Sequence, residues 1–227
     1  MPATAAGPCR TVLVTGTDTG VGKTMVAAAI ARSHARHGCR VAVFKPVQSG
    51  DDEASEPDHL LLRRAAGSSQ DPDEISPYRF GPPLSPHRAA ELSDRAIDMG
   101  RLVAAARAAA DGADVLVVEG AGGLLVPLDD ELTVRDLFAV LTAELDAVTV
   151  IVARPGLGTI NHTLLTLEAA DQGGLAVLGV VLTPWPAEPG EPETSNRTTL
   201  LERTMKPVLT LERFDPADET WPELALG

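Results

Sequence analysis

The chain has 227 residues, which is enough for one domain with a sizeable core. Hydrophobic residues make up 44% of it and aromatic residues only 3%, so we expect a core of Ala, Val and Leu, as in an α/β protein with buried parallel strands. The net charge of −13 argues against a nucleic-acid surface or an anionic membrane as the partner.

The two cysteines, Cys9 and Cys39, form neither a disulfide framework nor a metal-binding spacing. A reduced, cytoplasmic setting is therefore expected. No apolar run approaches the roughly 18 residues needed to span a bilayer. Residues 1–10 lack the apolar segment of a signal peptide, and we interpret them as a flexible leader before a single domain at residues 11–227.

The first chemical signal is a glycine-rich stretch at residues 16–24, GTDTGVGKT. It follows a β-branched run, residues 11–15, and opens an Ala-rich segment, residues 23–36, predicted to be a helix closed by Gly38. A strand, a glycine loop and a helix beginning at Lys-Thr form the layout of a phosphate-binding P-loop. Lys23 would reach the phosphates and the Thr24 hydroxyl would ligate Mg²⁺.

The loop departs from the general pattern G-x-x-x-x-G-K-[ST] at one position. That pattern requires Gly at position 17, where this chain has Thr17, and Gly16 stands one place too early. The alternative interpretation is a glycine-rich turn without a ligand. The strand-loop-helix context and the intact Gly-Lys-Thr favour phosphate binding.

The second predicted strand, residues 40–44, ends at Lys45, and Ser49 follows in the segment KPVQSG. Ligands bind at the carboxyl ends of strands in open parallel sheets, so both side chains lie where chemistry is expected. A solvated lysine at a strand end is the alternative for Lys45. Asp58 precedes an apolar-periodic helix at residues 60–66, where the alternative role is an N-cap.

Residues 67–87 contain many Pro and Gly and are predicted to be the longest irregular region, which could serve as a substrate-covering lid. His87, at its end, is interpreted as structural rather than catalytic. A helix is predicted at residues 97–110.

The third strand, residues 114–118, ends in Glu119 and a run of glycines. P-loop proteins place a Mg²⁺-holding carboxylate at such a strand end, although an ordinary strand-to-turn junction is the alternative.

The remaining elements complete an alternating α/β pattern. We predict helices at residues 133–141 and 195–204, and strands at residues 147–153, 175–183 and 207–211, the first of these at the sheet centre. After residues 147–153, a loop at residues 154–158 opens a helix that runs to Gln172. Its N-terminus at the sheet's carboxyl edge suits a carboxylate, although Asn161 could be no more than a cap. We interpret the tail beyond residue 211 as polar and uninformative.

Four motifs, taken together, resemble the dethiobiotin synthetase family: GTDTGVGKT at residues 16–24, KPVQSG at 45–50, EGAGG at 119–123 and GTINH at 158–162. They occur in that family's order with similar spacing and cover the chain to about residue 183. The extended loop with five residues between its glycines is the family's own form. The resemblance implies an α/β, single-domain P-loop NTPase-like fold, with a mostly parallel central sheet flanked by helices on both faces, and a homodimer.

The resemblance also implies a reaction. In this family 7,8-diaminopelargonate takes up CO₂ as a carbamate, ATP phosphorylates the carbamate, and the second amine closes the ring to give dethiobiotin, ADP and phosphate in biotin synthesis. The cofactor implied is Mg²⁺, with ATP as co-substrate, and Thr24, Asp58 and Glu119 are implied as metal ligands. Lys45 and Lys23 are implied as the catalytic cations.

By the same resemblance, residues from several strand ends surround the nucleotide: Gly20, Val21, Gly22, Lys23, Thr24, Met25, Asp58, Glu119, Gly120, Ala121, Gly122, Thr183 and Pro184. The implied substrate contacts are Lys45, Ser49, Gly158, Thr159, Ile160, Asn161 and Asn196, the last from a partner subunit. Well-known members have an Asn near position 183 that reads adenine; Thr stands here, and Pro184 has no N–H, so the base preference stays open.

Two other classes share parts of this pattern. An amidotransferase-type ligase would need a glutaminase domain with a Cys-His pair, and neither cysteine lies in such a setting. A nucleotide-switch ATPase of the partitioning type would carry an additional lysine early in the P-loop, where this chain has Thr17, Asp18 and Thr19.

Overall fold

The computed structural model of the protein describes residues 9–50, 56–218 and 220–224. Its strands are, in chain order, β1 (Arg10–Gly16), β2 (Val41–Phe44), β3 (Val47–Ser49), β4 (Tyr78–Phe80), β5 (Val115–Gly123), β6 (Val148–Ala153), β7 (Ala176–Trp185) and β8 (Val208–Glu212). Its helices are α1 (Lys23–Arg36), α2 (Asp58–Ala66), α3 (Pro72–Ile75), α4 (Pro86–Leu92), α5 (Met99–Ala110), α6 (Val134–Leu145), α7 (Thr159–Gln172) and α8 (Glu191–Thr204). Residues 1–8, most of the predicted leader, lie outside the described residues.

Six strands form one sheet in the order β2-β5-β1-β6-β7-β8, and every neighbouring pair is parallel. Successive side chains of a strand point to opposite faces, and both faces are apolar here. On one face, Val12 and Val14 pack with α1, α2 and the C-terminal segment. On the other, Leu13 packs with α5, α6 and α7. The predicted fold class, a mostly parallel sheet with helices on both faces, is confirmed.

The sheet brings separate loops to a common edge. Because the strands are parallel, the loops after β1, β2, β5 and β6 all leave from their carboxyl ends. The register is specific: Phe44 pairs with Val118, so Lys45 and Glu119 follow as neighbours although they are 74 residues apart. The strand order therefore assembles the site from distant motifs.

The prediction of an irregular region at residues 67–87 is wrong. This segment contains α3, β4 and the start of α4, and β4 pairs with β3 in a second, two-stranded parallel sheet. These elements span only a few residues each, so they show no period. A local signal was present: Asp71 caps α3 with Pro72 at its first position, and Glu74 completes the capping box.

The tail is also more than a polar end. Trp221 and Leu224 are buried against α1 and α2. The Trp221 ring lies 6.0 Å from the guanidinium carbon of Arg32 and 5.8 Å from that of Arg64, and the amide of Leu224 donates to Ser33 Oγ at 2.9 Å. The expectation that this segment is uninformative was wrong, because its few apolar residues are too widely spaced to form a pattern.

The outer edge of β2 is covered by a side chain. Val43 N donates to Gln70 Oε1 at 2.9 Å, and Gln70 Nε2 donates to Val43 O at 3.1 Å. Among the described residues, no helix is long and apolar enough to cross a membrane.

Candidate active site

The loop after β1 wraps around the start of α1. Gly22 caps that helix with φ 98°, a left-handed conformation that favours glycine, and the Lys23 ammonium donates to Asp18 O at 2.9 Å. Gly16 is required by space, because a Cβ there would lie 2.7 Å from Val21 Cγ2 and 3.0 Å from Asp18 O. The extended loop is therefore a closed turn that directs the first amides of α1 and Lys23 toward one cleft.

A buried charge cluster lies beside this loop. Lys45 Nζ donates to Glu119 Oε1 at 2.6 Å and to Asp58 Oδ2 at 2.7 Å, and the Thr24 hydroxyl donates to Glu119 Oε1 at 2.9 Å. Lys45 is 4% exposed and Glu119 is 1% exposed. The alternative role of Asp58 as an N-cap is excluded: Pro57 is the cap of α2, Asp58 is the first residue of that helix, and the Asp58 carboxylate binds Lys45.

The pKa directions follow from burial and from these contacts. Burial opposes charge on Lys45, yet the carboxylates of Glu119 and Asp58 outweigh it and raise the pKa of this lysine, so it stays protonated. Burial raises the pKa of Glu119, and the Lys45 charge offsets this only in part. Burial also lowers the pKa of Lys23, and the nearby Lys45 charge acts in the same direction.

The cluster has the donor set of a hard metal ion. A hydroxyl and two carboxylates, from Thr24, Asp58 and Glu119, are oxygen ligands of the kind that Mg²⁺ prefers. Glu119 Oε2 is buried and has no hydrogen-bond partner within the described part of the chain, so one ligand oxygen is available. No group of three or more His, Cys, Asp or Glu side chains there could hold a metal by itself. Phosphate and water oxygens would complete the shell, as is usual for Mg²⁺.

The cluster opens into a cleft of about 700 Å³. The predicted residues that line it are Gly20, Gly22, Lys23, Thr24, Met25, Lys45, Ser49, Asp58, Glu119, Ala121 and Gly122. Two other residues predicted to contact the nucleotide lie in the P-loop and in the glycine-rich segment 119–123. Val21 is buried, and a Cβ on Gly120 would lie 3.1 Å from Phe138 Cζ. These two positions therefore shape the loops from behind.

Two further parts of the chain complete the cleft wall. Gln48 and the segment at residues 83–86 line it, and the Ser49 hydroxyl donates to Leu84 O at 2.7 Å, which holds that segment over β3. The side-chain oxygen Oε1 of Gln48 accepts from the backbone N–H of His59 and lies 2.9 Å from His59 Nδ1. Residues 83–86 belong to the Pro-rich region for which the sequence suggested a substrate-covering role, whereas no signal in the sequence indicated Gln48.

The other predicted residues lie outside the cleft. Thr183 is buried, and a Cβ on Gly22 would lie 2.8 Å from its Cγ2, so it supports the P-loop from beneath; Pro184 is exposed. The N-terminus of α7 begins after Gly158 (φ 92°) and has no side-chain cap. Asn196 is buried and donates to the carbonyl oxygens of Pro155 and Gly156 within this chain.

A parallel sheet, a P-loop at the start of α1, a carboxylate in β5 and a lysine just after the neighbouring strand β2 define a P-loop nucleotide-binding enzyme. A family described as an AAA domain matches residues 10–211. Similar proteins include the ATP-dependent dethiobiotin synthetase BioD of Anaeromyxobacter dehalogenans strain 2CP-1, 44% identical over 207 residues and 91% of each chain. The chain belongs to the dethiobiotin synthetase family.

Further relatives agree with this assignment. The dethiobiotin synthetase of Bacillus licheniformis is 42% identical over 81% of this chain and 77% of its own length, and that of Mycobacterium sp. strain KMS is 43% identical over 83% and 82%. Among solved structures, chloroplast FtsY from Physcomitrella patens matches with a TM-score of 0.54 at 18% identity, covering 94% of this chain and 64% of that one. That likeness shows the fold alone.

Proposed function

We propose that this chain catalyses the ATP-dependent carboxylation and ring closure of 7,8-diaminopelargonate with CO₂, giving dethiobiotin, ADP and phosphate in biotin biosynthesis. It is then a ligase that forms carbon–nitrogen bonds. The relatives' names support the reaction. The observation that carries it is the position of Lys45, a buried ammonium held by Glu119 and Asp58 at the mouth of the P-loop.

The nucleotide half of the site uses the loop after β1. The first amides of α1 and the ammonium of Lys23 would hold the phosphates of ATP. Thr24, Asp58 and Glu119 would hold Mg²⁺, which would neutralise part of the charge of the phosphates. Glu119 Oε1 and Asp58 Oδ2 bind Lys45 in this structure, and Glu119 Oε2 is an oxygen that has no partner among the described residues and would be available to the metal.

Lys45 lies on the wall of the cleft, where it would face the reacting atoms. One amine of the substrate adds to CO₂ and loses a proton, which gives a carbamate. An oxygen of that carbamate attacks the γ-phosphorus, and ADP leaves. The second amine attacks the carbonyl carbon of the mixed anhydride, and phosphate leaves as the ring closes. Negative charge accumulates on the carbamate and phosphoryl oxygens, and the fixed charges of Lys45 and Lys23 would stabilise it.

The acceptor half would hold the diamine by both ends. Ser49 lies at the cleft beside Lys45 and would contact the substrate near its amines. The uncapped start of α7, at Gly158, Thr159, Ile160 and Asn161, would bind the distal carboxylate through its N–H groups. We propose a cytoplasmic homodimer in which the carboxylate lies near the subunit interface, with Asn196 close to it.

The deciding experiment supplies the protein with diaminopelargonate, bicarbonate and MgATP and detects dethiobiotin by mass. Phosphate release should depend on the diamine, and omission of Mg²⁺ should abolish both products. If phosphate is released without the diamine, or no ureido product forms, the proposed reaction is wrong.

A further inference from the structure

We propose that Asn196 is a positioning residue: it fixes the loop before α7, and it acts on the substrate carboxylate through the orientation of that helix start. This inference rests on the proposed function, because it assumes that the N-terminus of α7 binds the carboxylate.

Asn196 connects α8 to the loop before α7 through two hydrogen bonds. Its side chain is buried, and Nδ2 donates to Pro155 O at 3.0 Å and to Gly156 O at 3.1 Å. An asparagine amide has two N–H donors, and consecutive carbonyls of one loop take both of them. Asn196 lies on α8, about 40 residues further along the chain, so the contact joins two separate elements.

One of these two hydrogen bonds is made to a carbonyl that also binds the first residue of α7. Gly156 O accepts from Asn196 Nδ2 and also from the amide of Thr159, at 3.2 Å. A displaced Gly156 carbonyl therefore displaces the first helical residue. The amides that would bind a carboxylate come immediately after this point.

Pro155 is buried and packs the start of the loop, whereas the side chains on either side of it are exposed or held weakly. Leu157 is fully exposed, so it contributes no packing. Arg154 binds Asp18 at 3.0 Å, but both side chains are more than half exposed, and such pairs contribute little. A buried amide that satisfies two carbonyls is the stronger restraint, since losing it leaves Pro155 O and Gly156 O without these donors.

The test is Asn196→Leu, which keeps a similar volume and removes both donors. Its matched control is Thr198→Ala on the exposed side of the same helix, where the hydroxyl donates only to Thr194 O. Kinetics are measured with diaminopelargonate and with 7,8-diaminononanamide, in which a neutral amide replaces the carboxylate. A positional error of about 1 Å can cost up to about 100-fold, and we expect the KM for diaminopelargonate to rise about tenfold in Asn196→Leu.

The KM for the amide analogue and for ATP should change less than about twofold, as should all constants of Thr198→Ala. Thermal unfolding is measured in parallel, and Asn196→Ser, with one hydroxyl donor, should give an intermediate KM. Three results would each overturn the inference. They are an equal rise in KM for the two diamines in Asn196→Leu, an unchanged KM for diaminopelargonate in that variant, and equal KM values for the two diamines in the protein without substitutions. Dethiobiotin formation by the unchanged chain tests the proposed function separately, because it does not depend on Asn196.

Discussion

The ammonium of Lys45 lies 2.6 Å from Glu119 Oε1, and the two side chains are almost completely shielded from water. Their proximity follows from the parallel register of β2 and β5, in which Phe44 pairs with Val118. A positive charge in such a place is costly unless a partner neutralises it. The fold thus keeps a lysine charged at the mouth of the P-loop before any substrate arrives.

Lys45→Gln should reduce turnover by about 100-fold or more, because it removes a fixed charge from the reacting oxygens. The variant keeps the P-loop, so the affinity for ATP should change little. Dethiobiotin formation and ATP binding by calorimetry measure the two effects. Lys206→Gln is the control, since Lys206 donates to Val177 O and does not line the cleft. Unchanged turnover in Lys45→Gln would remove this lysine from the mechanism.

Gly16→Ala should weaken ATP binding by about tenfold or more, because its Cβ would overlap Val21 and the Asp18 carbonyl and force the loop open. Calorimetric titration with MgATP measures the loss. Gly81→Ala is the matched control, because no heavy atom lies within 4 Å of a Cβ at that exposed glycine. Equal affinities of the two variants would show that the closed form of the loop is not needed.

Trp221→Ala should lower the free energy of unfolding by about 3 kcal/mol, since it empties a buried site between α1 and α2. Urea unfolding measures the change. Glu223→Ala in the same segment should cost less than about 0.5 kcal/mol, because its contact with His37 is exposed on both sides. If both variants are equally stable, the tail does not support these helices.

The stability should decrease in mildly acidic solution through His34. Burial lowers the pKa of this histidine below its ordinary value of 6.5, and the positive charge of Arg10 acts in the same direction; its Nε2 has no hydrogen-bond partner in the described residues. Below 6.5 the unfolded chain therefore binds a proton more readily than the folded one, which favours unfolding. Urea unfolding is measured at about pH 7.5 and about pH 5.5. The decrease in the free energy of unfolding between these two pH values should be smaller for His34→Gln than for the protein without substitutions. Identical losses would contradict this assignment.

The local chemistry was predictable from the sequence, and the long-range assembly was not. The run of β-branched residues before Gly16 and the Ala-rich segment after Lys23 follow from strand and helix propensities, so the P-loop was placed correctly. The contact between Lys45 and Glu119 depends on the order β2-β5-β1, which no local pattern encodes. The family resemblance placed both residues in one site but gave neither the order of the strands nor this contact.

The features that the local sequence did not determine have a common physical origin. For Asp58 the local sequence offered only a cap as the alternative to the implied metal ligand, because its partner Lys45 comes from the end of another strand. The elements at residues 72–80 are too short to show a period. The predicted contact of Asn196 with the substrate of a partner subunit stays a prediction; within its own chain, Asn196 donates to the carbonyl oxygens of Pro155 and Gly156.

The amide pair between Gln70 and Val43 bears on how copies of this protein meet. An edge strand of a sheet has unpaired backbone N–H and C=O groups, with which a strand of another molecule can pair. Here a side chain has taken the place of that strand at Val43, and the amide of Lys45 just beyond is bound to Ile75 O. Strand addition at β2 would have to break these bonds first, so this edge of the sheet, beside the active site, is protected against edge-to-edge polymerisation.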